Sequence, residues 1–150
     1  MSELDLKVDS EFVALLLDSH FRLVGRRLEL PGLSPAGAAR WLYHDAPFSV
    51  LAHDPAPDPT FIYANLTAQR LFGYNWVEFI ALPSRETAGP WDRAQRAALL
   101  KSVRHKGFVT GYHGIRVRRS GELFEVENLT LWNLVDGQGK QFGQAAAFPV

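Results

Sequence analysis

The sequence predicts an α+β fold, with a five-stranded antiparallel sheet that carries helices on one face and two further helices ahead of it. Three observations support this prediction. Helical periodicity fills the first segment, a strand pair and several helices follow, and three long strands end the chain. With 150 residues and no internal repeat or linker, the chain suits one domain, since folding at this size hides roughly 70% of the unfolded surface.

Two helices are predicted at the N-terminus, in residues 10–45. The first runs from about residue 10 to 24, because Ser10 can cap it and apolar residues follow at helical spacing. The second follows Ser34, the expected N-cap, has Pro35 at its first position and ends near His44. Residues 1–9 are predicted to be a tail that precedes the domain.

Residues 46–150 are predicted to form the core of the domain. The segments PFSVLAH and TFIYA read as a strand hairpin, because both are rich in aromatic and β-branched residues and a turn-forming DPAPDP joins them. Asn65 is expected to cap a helix that ends at Gly73, and Asn75 a second helix that Pro83 terminates. A longer helix, WDRAQRAALLKSVRHK, follows the connector PSRETAGP.

The C-terminal third is predicted to be a meander of three strands, FVTGYHGIRVRR, LFEVENLTLWNLV and KQFGQAAAFPV. Strict alternation in the middle strand puts its even-numbered residues, 124 to 132, on one face and its odd-numbered residues on the other. Both faces carry apolar side chains, so both need cover. The central helices supply one cover, and the N-terminal helices or a partner subunit would supply the other.

Composition excludes several classes of protein. Sixteen basic residues balance sixteen acidic ones, so we expect neither nucleic acid nor an anionic membrane surface as a partner. The chain has no cysteine, which excludes disulfides, zinc–thiolate sites, iron–sulfur clusters and cysteinyl adducts. The acidic N-terminus and the lack of an apolar run of ~20 residues predict a cytoplasmic protein that does not span a membrane.

This element order, with IYAN followed by FGY and EFI, resembles the PAS fold. The segments WLYHDAPFSVLAHD, FIYANLTAQRLFGYNWVEFIALPSRETA and GYHGIRVRRSGELFEVENLTLWNLVDGQGKQFGQAAAF are similar to the MEKHLA domain, a PAS-related module, over about residues 10–150. The resemblance implies a sensory or interaction domain and not a defined activity, since a fold does not fix a function. No effector sequence accompanies it here, so output is expected to pass through a protein partner or a homodimer.

A ligand pocket is expected between the helices and the even-numbered face of the middle strand. Asn128 and Thr130 would place polar groups in a cavity lined by Val126 and Trp132, and Arg116 would add a charge for a carboxylate or phosphate. Either a ligand or the protein itself must satisfy these polar groups. The remaining candidate contact is Trp91, whose alternative role is packing between elements.

No cofactor is identified. Flavin-binding light-oxygen-voltage sensors resemble this chain at Gly143, but they carry a reactive Cys that is absent here and a Gln where this chain has Ala145. Gln144 is one place off and is expected to face away. His105, a candidate axial haem ligand on the long helix, lies between two cations and is expected to be solvated. The histidines show no metal-type spacing, and no metal site is predicted.

No catalytic residue is predicted either. Glu125 and Glu127 are two residues apart on one strand, but no nucleophile, positioned histidine or phosphate loop accompanies them. The first hypothesis is therefore a non-catalytic sensory module with a small-molecule ligand. The second is a protein-interaction domain whose core is filled by its own aromatic side chains. An enzyme that uses Glu125 and Arg116, or an RNA-binding surface around the arginines near residue 118, remains as a weaker alternative.

Overall fold

The structure is a computed structural model that describes residues 6–89 and 92–150. Its helices are α1 Ser10–Val24, α2 Pro35–His44, α3 Leu66–Phe72, α4 Trp76–Phe79 and α5 Arg93–Lys106, with a 3-10 turn at Ser84–Thr87. Its strands are β1 Phe48–His53, β2 Phe61–Ala64, β3 Phe108–Val117, β4 Leu123–Val135 and β5 Gln141–Pro149. Within the described ranges, every helix is too short or too polar to cross a lipid bilayer.

The five strands form one antiparallel sheet, which confirms the α+β prediction, and their order is β2-β1-β5-β4-β3. Strand β1 pairs with β2 on one side and with β5 on the other. The predicted N-terminal hairpin and the predicted C-terminal meander are therefore joined along β1 and β5. This pairing brings residues from the two halves of the chain onto the same face of the sheet.

Local capping signals set most helix boundaries. The Ser34 Oγ accepts from the Gly37 N–H at 3.1 Å, and the Asn65 Oδ1 accepts from the Ala68 N–H at 3.0 Å. Both caps confirm the sequence prediction. The predicted range of α1, residues 10–24, is confirmed, but its predicted cap is wrong by one residue, because the side chain of Asp9, and not Ser10, accepts from the first free N–H groups. Both residue types cap well, so the sequence did not choose between these neighbours.

The end of α4 also differs from the prediction. The helix stops at Phe79, four residues before the expected terminator Pro83. Ile80 is already extended, and Ala81 has a φ of 74°, a left-handed conformation that no helix continues. A backbone bond from the Ala81 N–H to the Phe61 carbonyl at 3.0 Å holds this turn against β2. A tertiary contact therefore ended the helix before proline did.

The sheet carries an apolar core on each face. Helices α1 and α2 cover one face, where Leu16 and Leu42 pack with Trp132. Helices α3, α4 and α5 cover the other, where Phe72 and Leu100 pack with β4 and β5. The N-terminal helices therefore provide the second cover that the middle strand was predicted to need.

Hydrogen bonds join α1 to β4. The Trp132 indole N–H donates to the Leu16 carbonyl at 3.2 Å, deep in the core. Ser19 lies one turn further along α1, and its Oγ donates to the Val135 carbonyl at 2.8 Å and accepts from the Val135 N–H at 3.0 Å. These bonds fix the position of α1 along the strand as well as its contact with it.

A β-bulge interrupts the alternation of β4. Gly114 of β3 pairs with Val126, whereas Tyr112 pairs with Leu129, so β4 has one extra residue between these two pairs. Asn128 lies in the extra segment with a φ of 54°. After the bulge, each residue of β4 lies on the face of the sheet opposite to the one that strict alternation predicts. Residues 126, 129 and 131 consequently contact the α3–α5 core, and Trp132 contacts the α1 core.

Candidate functional site

A cavity of about 50 Å³ lies between the sheet and α5. We call it the interior cavity. Its apolar wall comes from four strands and two helices, and includes Leu51, Phe61, Phe72, Leu100, Leu129, Leu131, Ala146 and Phe148. Its polar lining is His53, Thr87, Arg96, Arg116 and Gln144. Cationic and neutral polar side chains therefore meet in a largely apolar enclosure, which is the general character of a small-molecule site.

Arg116 of β3 is present in the cavity lining, but its charge is already paired. Its Nη1 lies 3.2 Å from the Oδ2 of Asp92, and both side chains are only 10% exposed. The same nitrogen donates to the Ile115 carbonyl at 3.0 Å. A buried pair of this kind is held by its mutual attraction, since either charge alone would be costly at that depth. Arg116 is therefore not the cation most available to a ligand.

Arg96 of α5 is the second cation in the lining. Its side chain is 8% exposed, and its guanidinium donates to the Oγ of buried Ser84. No carboxylate in residues 6–89 and 92–150 makes an ion pair with it. With Arg116 and Asp92 neutralising each other, Arg96 leaves one net positive charge at the cavity. A guanidinium has five N–H donors, and most of them remain for another partner.

His53, the last residue of β1, contributes an acceptor to the lining. Its Nδ1 lies 2.9 Å from the Asp54 carbonyl, which can only accept, so Nδ1 carries the ring proton. The neutral ring then presents Nε2 as a lone-pair acceptor. That atom is buried and has no hydrogen-bond partner in the described part of the chain. A buried acceptor without a partner is costly unless a ligand or water supplies a donor.

Gln144 of β5 contributes a second acceptor. Its Nε2 donates to the Leu100 carbonyl and to the Asn133 Oδ1, both at 3.1 Å, which fixes the orientation of the amide. Its Oε1 is buried and lacks a partner among the described residues. The prediction that Gln144 faces away is wrong, because Gln144 lies on the same face of β5 as Ala146 and Phe148.

Burial determines the charge states of this lining. It lowers the pKa of His53 to about 4, an effect that the nearby Arg96 reinforces. Burial also lowers the pKa of Arg96 to about 10, with repulsion from Arg116 as the next cause. At neutral pH the imidazole is therefore neutral and Arg96 is still a cation.

Acidification from pH 7 to pH 5 is expected to cost about 2 kcal/mol of unfolding free energy through His53 alone. The unfolded chain takes up this proton near its ordinary pKa of 6.5, whereas the folded chain resists until about 4. The unfolded state holds more protons in that window, so stability falls as pH falls. Urea unfolding at several pH values checks this.

The variant His53→Gln should show a shallower pH dependence than the unaltered chain. His105→Gln is the matched control, because His105 is exposed and should keep the original slope. Asp54, Arg96 and Arg104 face His53 electrostatically and stay in both variants. Equal slopes in the two variants would contradict a buried neutral His53.

The structure separates the residues that the sequence placed in one pocket. Val126 lies in the α3–α5 core but outside the cavity lining, and Arg116 is the only one of the five described residues of the predicted set that lines the cavity. The prediction that Asn128, Thr130 and Trp132 share its face is wrong. The bulge turns Asn128 and Thr130 toward a groove on the opposite face, beside Leu28 and Phe48, and Trp132 lies under α1. Trp91 lies outside the described residues.

Sequence reasoning missed the residues that dominate the lining, namely His53, Arg96 and Gln144. One signal was present, because Arg96 is four residues before Leu100 and seven before Val103, on the inward side of α5. Gln144 likewise alternates with Ala146 and Phe148. The sequence prediction set Gln144 aside because flavin-binding sensors carry their Gln at the position of Ala145.

A polar cluster also forms on the outer surface of β3 and β4. One ligating atom from each of His113, Glu125 and Glu127 lies within 4.8 Å of the others, and all three side chains are exposed. The predicted carboxylate pair is thus solvated, with His113 Nδ1 lying 3.9 Å from Glu127 Oε1. The spacing of histidines along the chain gave no sign of this cluster, since the strand pairing creates it.

Solved structures with the same architecture identify the class of fold. A PAS domain of a protein from Colwellia psychrerythraea matches 72% of this chain and 90% of its own length, with 15% identity and a TM-score of 0.62. A light-oxygen-voltage domain studied with a flavin analogue matches 66% of this chain and 73% of its own, with 24% identity and a TM-score of 0.57. The fold is therefore that of the PAS and light-oxygen-voltage sensory domains.

An RNA-binding light-oxygen-voltage receptor also matches 80% of this chain, with 26% identity and a TM-score of 0.63, although the match spans only 36% of that receptor. The model of the MEKHLA domain family matches residues 10–150. The chain therefore belongs to the MEKHLA domain family. A comparison with curated proteins gives no match.

Flavin does not fit the interior as it stands. Sites for ligands of drug size enclose roughly 300 Å³ or more, whereas the interior cavity has about 50 Å³. Phe61, Phe72 and Leu129 lie in its wall where a tricyclic ring would need space. The chain also has no cysteine with which a flavin could form an adduct. The candidate site is thus suited to a much smaller molecule.

Proposed function

We propose that this chain is a non-catalytic sensory module that binds a small molecule in the interior cavity and signals through self-association or a protein partner. The observation that carries the proposal is the polar lining. Among the described residues, a buried cation without an ion-paired carboxylate and two residues with buried, unpaired acceptor atoms line this largely apolar cavity, and the latter two, His53 and Gln144, also line a smaller neighbouring pocket. Proteins rarely leave such groups unsatisfied, so a bound molecule accounts for them.

Membership of a sensory fold family supports the same proposal at a coarser level. The elements around the cavity also suit signal transfer. His53 and Gln144 lie on the paired strands β1 and β5, and Arg96 lies on α5. A molecule that contacts all three would couple the sheet to α5, and a change in their relative position would then be the signal.

Filling the cavity should abolish binding and leave the fold intact. Ala146 is half-buried in the cavity wall, and Ala146→Leu puts added methyl groups into the enclosed space. A ligand at 100 times its dissociation constant should stabilise the unaltered chain by about 2.7 kcal/mol. We expect Ala146→Leu to lose this gain. The measurement is thermal unfolding across a metabolite panel, together with native mass spectrometry of the purified chain.

Ala98→Leu is the matched control, because Ala98 lies on the exposed side of α5 and the same substitution there leaves the cavity unchanged. The control should keep the ligand-dependent gain. A chain that carries no retained small molecule, and that nothing in the panel stabilises, would overturn the proposal.

The second candidate is a protein-interaction domain with a self-filled core. The small size of the cavity favours it, because aromatic rings such as Phe72, Phe79 and Phe148 already occupy much of the space between sheet and helices. In that case Ala146→Leu should overpack the core and destabilise the chain by about 1–3 kcal/mol. Ligand binding would then be absent in both variants.

We further propose a cytoplasmic homodimer that associates through the sheet and the N-terminal helices. Exposed apolar side chains support this surface, with Leu123 at 48% and Phe21 at 42% exposure. Sedimentation velocity over a range of concentrations tests it, and a monomer at all concentrations would count against it. The balanced charge of the chain argues against RNA as the partner.

A further inference from the structure

The lining of the interior cavity limits the chemical class of the ligand, which the proposed function leaves open. We propose that its ligand is a small carboxylate that also bears a hydroxyl group, of the size of glycolate or lactate. The inference rests on the proposed function, since it assigns the class of molecule to that same cavity. Three independent features lead to it, namely the charge, the two orphan acceptors and the volume.

The positive charge of the cavity lining favours an anionic ligand. Arg96 and Arg116 both line the cavity, but among the described residues Asp92 makes an ion pair with Arg116 and none with Arg96. Ser84 offers Arg96 a hydroxyl oxygen and no charge. A carboxylate would accept two parallel N–H bonds from the guanidinium, which is the geometry that arginine matches best. It would also restore electrical neutrality to a buried site.

The two unpaired acceptors, His53 Nε2 and Gln144 Oε1, favour a ligand that also carries a hydrogen-bond donor. His53 Nε2 carries a lone pair, because its Nδ1 donates to the Asp54 carbonyl. Gln144 Oε1 is held as an acceptor, because the Nε2 of the same amide donates to two partners. A plain carboxylate offers neither acceptor a proton. A hydroxyl group offers one, and it can accept as well.

The volume limits the length of the ligand. A water molecule needs roughly 10–15 Å³ in this measure of cavity space, so about 50 Å³ holds only a few water-sized groups. Glycolate has five non-hydrogen atoms and lactate one more, and the extra methyl of lactate would meet the apolar wall that includes Leu100 and Leu131. Dicarboxylates and aromatic acids exceed the space.

The test is calorimetric titration of the purified chain at neutral pH and matched ionic strength. The probes are glycolate and L-lactate, with acetate and propionate as acids without a hydroxyl group and glycolamide as the neutral analogue. We expect saturable binding of a hydroxy acid, and at least tenfold weaker binding of both the plain acid and the amide. Charge-assisted bonds of this kind carry roughly tenfold to hundredfold in affinity.

Arg96→Gln should lose that affinity by a similar factor. Arg93→Gln is the matched control, because Arg93 lies on the same helix with 43% of its side chain exposed. It should bind as the unaltered chain does. If Arg96→Gln does not fold, as judged by circular dichroism, the comparison of glycolate with glycolamide on the unaltered chain still decides the question.

The outcomes separate this inference from the proposed function. Equal binding of acid and amide, or full binding by folded Arg96→Gln, would overturn the anionic class and leave a ligand-binding module. Equal binding of acetate and glycolate would overturn the hydroxyl requirement. No binding of any probe, with a different small molecule retained in native mass spectrometry, would overturn the ligand class alone. No binding and no retained molecule would overturn both.

Discussion

Replacing Gly143 with alanine is expected to destabilise the chain by more than about 4 kcal/mol, the range reserved for severe core defects. A Cβ at this position would lie 1.9 Å from the carbonyl oxygen of His53, which is backbone and cannot rotate away. The φ of 132° is also one that residues with a side chain rarely adopt. Urea unfolding of the variant measures the loss.

The effect should reach the candidate site, because His53 and Gln144 are register partners beside this contact. Gly139→Ala is the matched control. Its φ is 82°, also positive, but a Cβ there would meet nothing within 4 Å. It should cost only the conformational penalty of roughly 1–2 kcal/mol. Similar losses in the two variants would show that β1 and β5 do not approach as closely as described.

Replacing Trp132 with alanine is expected to cost about 3–5 kcal/mol, as for other large-to-small changes in a core. The side chain has no exposed surface, and its ring packs edge-on against His20 at 4.8 Å between ring centroids. The loss would leave an empty space between α1 and β4. Chemical denaturation with a fluorescence-independent signal such as far-UV circular dichroism measures it.

Trp132→Phe separates packing from hydrogen bonding. It keeps an aromatic ring under α1 but removes the indole N–H that donates to Leu16. We expect a loss of about 1–2 kcal/mol, from the missing bond and the smaller ring. If instead Trp132→Ala cost less than about 1 kcal/mol, α1 would not be an integral cover of the sheet.

The match between sequence and structure is best where the signal is local. Asn65 was predicted as a cap, and the structure gives it that bond. The Asn65 side chain also makes three hydrogen bonds that were not predicted. It accepts from the Val50 N–H at 3.1 Å and donates to the Leu42 and Phe48 carbonyls. The cap was readable from residue type and spacing. The three other bonds join α2, β1 and α3, and they exist only in the folded chain.

Predictions about the site failed where a single backbone irregularity changed many side chains at once. The left-handed Asn128 shifts the alternation of β4 by one residue, which moves Thr130 and Trp132 away from the cavity. Strict alternation takes no account of such a bulge, although asparagine is depleted in strands and enriched at positive φ.

The amino-acid sequence by itself determined the order of elements, most helix caps, the antiparallel sheet and the lack of thiol chemistry, because these depend on residue type and on spacing within a few positions. The tertiary structure alone decided which side chains line the cavity and which cation there makes no ion pair with a described residue. Arg96 and Arg116 are alike in sequence, but among the described residues Asp92 makes an ion pair with Arg116 and not with Arg96. Such a difference depends on distances between segments far apart in the chain, and only folding sets those distances.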